Sequence, residues 1–276
     1  MTSERRRWLV LAALAVLAVI VPFTVWRETW FGRPLSDDEI GRYLNSTDRA
    51  RKVQHALSQV SERIVRGDRG AERWYPQVVS LAGHPLAPVR ATAAWVMGQD
   101  NRSDAFHRAL LERLRDSDLM VRRNAALSLV RFGDGSGKAE ILAMLHPFTV
   151  RAPKAGKVSV GLESGREISQ GALLARIGKE SASPVEVRAP FSGRLGVVLI
   201  PDGTPVAEGE PLMIINPASE YVWEALRALY LVGQPEDLPD VERCTRVIAE
   251  MPESVRRQAE YTARAIRTRS ERSSIR

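Results

Sequence analysis

The sequence predicts a multidomain α + β protein. It has an N-terminal transmembrane helix, an α-solenoid of stacked helix pairs and a small all-β domain inserted within one pair. Three observations predict this. Residues 8–26 form an uncharged run rich in Leu, Val and Ala. A helical motif recurs 32 positions apart, at Val89-Arg90 and Val121-Arg122. Between Pro147 and Pro217 a glycine-studded pattern occurs twice, 37 to 38 positions apart. The resulting segments are an N-terminus and signal anchor (1–34), helical repeats (35–146), the β domain (147–217), further repeats (218–269) and a basic tail (270–276).

Composition bounds the rest. Hydrophobic residues at 44% and charged residues at 26% are ordinary for a folded chain. The net charge of +7 comes from arginines scattered over helices, with no interleaved aromatic-basic pattern of the kind that binds nucleic acid. A single cysteine, Cys244, excludes an intramolecular disulfide.

At the N-terminus, Arg5, Arg6 and Arg7 precede the apolar run, and Trp8 and Trp26 close its two ends. About 20 apolar residues span a bilayer as a helix, with aromatics at the interfaces. The run is long for a signal-peptide core and no small-x-small cleavage site follows, so it reads as an uncleaved anchor. The arginine bias places the N-terminus in the cytoplasm. The expectation is a single-pass membrane protein with its bulk periplasmic or extracytoplasmic.

Ser36-Asp37-Asp38-Glu39 is a capping-box sequence that starts a first helix. Val53, Leu57, Val60 and Ile64 recur at helical spacing in a second, over residues 47–66, which Gly67-Asp68-Arg69-Gly70 ends. Amphipathic stretches at 74–81 and 106–114 then precede two matching second helices. In one, Val89-Arg90 leads into Ala93, Ala94 and Met97; in the other, Val121-Arg122 leads into Ala125, Ala126 and Leu129. Small alanines at matching points let paired helices approach closely, and pairs of this length must stack to bury their apolar stripes. The pattern resembles HEAT-type repeats. That resemblance gives Arg90 and Arg122 a structural role between adjacent repeats.

Ala225, Leu226, Leu229 and Gly233 match Ala125, Ala126, Leu129 and Gly133 at an offset of 100. Removing the stretch from Pro147 to Pro217 reduces that offset to about one repeat. The β domain therefore interrupts a repeat whose helices cover 137–146 and 219–232, at an exposed loop of the sort that tolerates insertion. A last pair follows, at 238–249 and from Val255 through Ile266.

Within the β domain, Val150-Arg151-Ala152-Pro153 with Gly156 is repeated as Val187-Arg188-Ala189-Pro190 with Gly193. Gly165, Ile168, Gly171 and Leu174 are repeated as Gly203, Val206, Gly209 and Leu212. Two equal half-units predict a small sandwich with internal two-fold symmetry, with Gly165 and Gly203 at hairpin turns. The pattern resembles the biotinyl/lipoyl-like domain, also called the hammerhead or barrel-sandwich hybrid. In carrier members of that family a modified lysine lies eight positions before the proline of the second Ala-Pro; that position here is Ala182. The nearest lysine, Lys179, lacks the methionines of a biotin site and the Asp-Lys-Ala of a lipoyl site. The domain thus resembles the cofactor-free version in membrane fusion and periplasmic adaptor proteins. The resemblance implies no cofactor and a docking role.

No catalytic or metal site is expected. His55, His84, His107 and His146 lie far apart with no ligand spacing. Asp104 and His107 share a helix face without a nucleophile. Gly133-Asp134-Gly135-Ser136-Gly137-Lys138 lacks phosphate-loop spacing and reads as a glycine-capped helix end. The sequence therefore predicts a membrane-anchored, non-enzymatic scaffold or adaptor of a bacterial cell-envelope complex. Its expected partners are proteins, a membrane transporter or secretion subunit among them, with the membrane engaged through the N-terminal helix and no nucleic acid. The alternative is a biotin- or lipoyl-type carrier modified on Lys179.

Overall fold

A computed structural model describes residues 33–46, 49–178, 183–246 and 251–274. The chain divides into two compact units, Met1–Gln77 and Val78–Arg276.

Among the described residues no helix is long and apolar enough to cross a membrane. The longest, Glu253–Ser274, has 22 residues and carries charges along its length. Residues 8–26, to which the anchor was assigned, lie outside the described residues. The fold is therefore a mixture of helix pairs and two small antiparallel sheets, and the single-pass, extracytoplasmic placement is withdrawn.

In the first unit, α1 (Asp37–Leu44) begins at a capping box. The Ser36 hydroxyl accepts from the Glu39 N–H at 3.3 Å, and the Glu39 carboxylate accepts from the Ser36 N–H at 2.9 Å. Helix α2 (Ala50–Val65) buries Val53, Ala56, Leu57 and Val60. It stops before Gly67, whose φ of +76° an L side chain rarely adopts. A 3₁₀ turn at Arg69–Trp74 then places the Trp74 ring against the guanidinium groups of Arg63 and Arg73, 4.9 and 4.2 Å from its centroid.

The helix α3 (Tyr75–Leu81) leads into α4 (Ala87–Met97), α5 (Asp104–Arg113) and α6 (Leu119–Val130). After them come α7 (Lys138–Ala143), α8 (Ser219–Val232), α9 (Leu238–Arg243) and α10 (Glu253–Ser274). The second helices lie side by side, α4 along α6 and α8 along α10, while α6 and α8 meet over a shorter stretch. Close approach is set by small residues and sealed by buried hydroxyls. Ser128 donates to the Ala94 carbonyl at 2.9 Å, and Thr262 to the Leu226 carbonyl at 2.8 Å. Ala126, Ile141, Leu226, Leu229, Val255, Ala259 and Ile266 share one core.

Arg90 and Arg122 do the same job one repeat apart. Each reaches back to the two carbonyls five and six residues earlier: Arg90 to Pro85 and His84, Arg122 to Ser117 and Asp116. Each also pairs with a carboxylate further along the chain. Arg90 grips Asp116 with two bonds of 2.8 and 2.7 Å, and Arg122 donates to Glu140 at 2.5 Å. Burial alone would raise the Asp116 carboxyl, but the bonds from Arg90 and the Asp118 N–H hold it below the ordinary aspartate value.

The β domain lies between α7 and α8. Its strands are β1 (Phe148–Arg151), β2 (Gly156–Ser159), β3 (Glu167–Ile168), β4 (Leu173–Gly178), β5 (Val185–Arg188), β6 (Gly193–Val198), β7 (Pro205–Val206) and β8 (Pro211–Pro217). They form two four-stranded sheets, in the orders β1-β8-β6-β3 and β5-β4-β2-β7. Advancing every strand by four exchanges the sheets, which is the two-fold relation that the doubled sequence implies. The loop bonds obey it too. Ala152 donates to the Glu210 carbonyl at 2.9 Å as Ala189 does to Ala172 at 2.8 Å. Arg151 donates to the Gly209 carbonyl as Arg188 does to Gly171.

Gly165 and Gly203 have φ of +87° and +78°. They do not turn hairpins, however: β2 and β3 lie in different sheets, as do β6 and β7. Each glycine sits in a crossover, where its N–H donates to a strand carbonyl, Leu195 for Gly165 and Val158 for Gly203.

Candidate functional site

One buried arginine lies where the β domain meets the helices. Arg123, on α6, is 2% exposed. Its guanidinium carbon lies 4.4 Å from the centroid of the Phe191 ring, between β5 and β6. Phe191 in turn meets Phe148 of β1 and Tyr221 of α8 edge-on, at 5.5 and 5.9 Å. Leu119 and Met120 of α6 pack onto the same sandwich core. Arg123 Nε and Nη1 are buried with no hydrogen-bond partner, so attraction to the ring face is what meets their charge. Burial pushes this guanidinium below the ordinary arginine value, against a weaker opposing influence from Glu140 and Tyr221.

A second feature is a groove of about 800 Å³ between α8 and α10. Gln258, Tyr261, Ala265, Thr268 and Arg272 follow one another at steps of three and four and so line one stripe of α10. Arg227, Tyr230 and Leu231 face them from α8, with Arg264 and Arg269 at the edges. The buried stripe of α10 (Val255, Ala259, Thr262, Ala263, Ile266) is turned roughly a third of the way round the helix. The groove's apolar side chains are exposed: Tyr230 44%, Leu231 60% and Tyr261 56%.

No carboxylate lines this groove. Its arginines are also divided from the others on α10 by pairing. Arg256 and Arg257 pair with Glu253, and Arg267 with Glu242. Arg264 and Arg272 have no carboxylate partner among the described residues. Arg227 lies over the Trp223 ring at 4.8 Å. Arg269 donates to the carbonyls of Leu229, Tyr230 and Gly233, capping α8. Carboxylates line two neighbouring hollows, one of which shares Arg264 and Thr268 with the groove. Glu220 and Glu224 flank Trp223 on α8, while Glu260 and Glu271 lie round the far side of α10.

His107 pairs with Asp134 at 2.7 Å, not with Asp104, and its ring lies against Phe132. Burial would raise Asp134, but bonds from Ser136 and His107 outweigh it and hold the carboxyl below its ordinary value. Ser136 bonds Asp134, not His107, so these three side chains do not form a nucleophile–base relay. Gly133 has φ of +72°, and the Asp134 N–H donates to the Leu129 carbonyl across it, so 133–138 is a helix stop. His146, just after α7, pairs with Asp240 of α9 at 2.8 Å. His55 lies on α2 and His84 in the turn before α4. Lys179 and Ala182 lie outside the described residues.

Sequence reasoning did not single out Arg123 or the groove. The 3-4-3-4 stripe from Gln258 to Arg272 was readable as a second, exposed face, but nothing in the sequence says which arginines are paired. Arg123 carried no signal beyond its place beside Arg122.

The family described as HEAT repeats matches residues 75–151. The helix pairs in that stretch are HEAT-type repeats, and such repeats commonly mediate protein–protein interaction. No curated protein matches the chain. Among solved structures, a single-chain, multi-domain long-chain acyl-CoA carboxylase is similar at 22% identity over 46% of this chain, with a TM-score of 0.25. The chain spans 14% of the length of that protein.

Proposed function

We propose that this protein is a non-enzymatic scaffold that offers two surfaces to a protein partner: the exposed face of its paired repeat helices, and the inserted β domain acting as a docking module of the biotinyl/lipoyl-like kind. The observation that carries this reading is the Arg123–Phe191 seam. A module meant to swing a tethered cofactor between sites needs a free hinge, whereas this one is seated on α6 and α8 by an aromatic cluster around a buried cation. The sheet order and the doubled glycine crossovers support the biotinyl/lipoyl-like resemblance.

The test compares proteins captured by the intact chain with those captured by a chain lacking 148–216, each quantified by mass spectrometry. The reading expects at least one protein lost with the β domain and retained when Lys179 is replaced by Arg. Loss of all capture in the Lys179→Arg chain, or an intact mass carrying a biotin or lipoyl increment, overturns it in favour of a carrier.

A further inference from the structure

We propose that the groove between α8 and α10 binds a short acidic segment of the partner protein, one that alternates carboxylates with apolar side chains. The inference rests on the scaffold reading and names the chemistry of its partner. Three observations converge on it. The groove holds four guanidinium groups and no carboxylate. Among the described residues Arg264 and Arg272 make no ion pair of the kind that Arg256, Arg257 and Arg267 make, although Arg264 also lines the hollow that holds Glu242, Glu260 and Glu271, so both guanidinium groups can engage a ligand's carboxylates. Tyr230, Leu231 and Tyr261 offer exposed apolar surface between the charges, which a purely ionic ligand would leave wet.

A neighbouring hollow limits the length of the occupant: it shares Arg264 and Thr268 with the groove and is lined by Glu242, Glu260 and Glu271. A long polyanion running on past Arg264 would meet these carboxylates, and like charges brought together cost affinity. A segment whose acidic stretch ends within the groove avoids them. The chain's own N-terminus, with Arg5, Arg6 and Arg7, has the wrong sign to fill it.

The test is a fluorescence-anisotropy titration of the full-length chain with a labelled peptide of repeated Glu-Glu-Leu-Leu. The controls are the same peptide with Lys for Glu, and a single-stranded oligothymidylate. Two double variants remove equal charge from the two faces: Arg264→Gln/Arg272→Gln and Arg256→Gln/Arg267→Gln. Circular dichroism verifies their helix content, and Tyr261→Ala tests the groove without changing charge. The acidic peptide is expected to saturate the wild-type chain, more weakly as salt rises. The dissociation constant is expected to rise by about tenfold or more in the first double variant, to rise in Tyr261→Ala, and to stay unchanged in the second. Failure to saturate by about 1 mM peptide overturns the proposal. Equal weakening in both double variants does so as well, because it reports net charge alone. Tighter binding of the oligothymidylate through the same arginines also overturns it, moving the groove to nucleic acid. If the peptide fails while partners dependent on the β domain are still captured, the groove inference alone falls; if capture fails as well, the scaffold reading falls with it.

Discussion

Arg123 and Phe191 make a pair whose two members should respond to substitution in opposite ways. Arg123 is buried with two unbonded nitrogens, and replacing a buried charge by an apolar side chain of similar volume is often neutral. Arg123→Met should therefore change stability by no more than about 1 kcal/mol. Phe191→Ala removes a fully buried ring that packs against Arg123, Phe148 and Tyr221 and should cost about 3–5 kcal/mol. Chemical denaturation measures both, and a loss at Arg123→Met as large as that at Phe191→Ala would mean that the guanidinium makes bonds of its own. Glu39 gives a residue-scale prediction in pH. The Ser36 N–H, then the Arg33 guanidinium, lower its carboxyl from 4.5 to about 2. A depressed acid stabilises only while ionised, so its contribution is complete above pH 4.5 and is lost as pH falls towards 2. Glu39→Ala should flatten the acid limb of the thermal stability profile in that window, and a limb parallel to wild type would remove Glu39 from the first unit's acid sensitivity.

At the scale of elements, the doubled β pattern was legible because each half obeys the same backbone requirements. The 37-residue offset between Ala152 and Ala189 reappears as matched loop bonds, and the alanine-rich second helices reappear as close helix contacts. What the pattern could not convey is which sheet each strand joins, so Gly165 and Gly203 read as hairpin turns although they make crossovers. It also could not show where the two halves differ. A Cβ on Gly193 would lie 2.2 Å from the Asn216 carbonyl oxygen, a backbone atom, whereas one on the equivalent Gly156 would meet the Ile177 side chain at 2.9 Å. Gly193→Ala should thus cost about 1–3 kcal/mol more than Gly156→Ala, since backbone yields less readily than a methyl group. Equal losses, read from the two denaturation midpoints, would show that β8 shifts as easily as Ile177. The seam and the groove were illegible for a different reason. Both depend on neighbours distant in sequence: Phe191 stands over Arg123, and α8 supplies the facing wall of the groove at Arg264.

For the molecule as a whole, the β domain adds a module to a repeat without supplying that repeat's core. The residues around Ile141, Leu226 and Val255 form one cluster and those around Phe191 another. A chain with 148–216 removed and the ends joined should keep cooperative helical melting, at a lower temperature because Leu119, Met120 and Tyr221 lose their cover. A broad, non-cooperative melt would make the β domain integral to the repeats. The most direct test of the scaffold reading places a photo-crosslinking amino acid at Tyr261, inside the groove, and in a second chain at Glu260, around the helix and outside it. Irradiation in cells should attach a protein at Tyr261 through a segment rich in Asp and Glu and attach none at Glu260. The same proteins at both positions, or no protein at either, would contradict a partner held by the paired arginine and tyrosine side chains of α8 and α10.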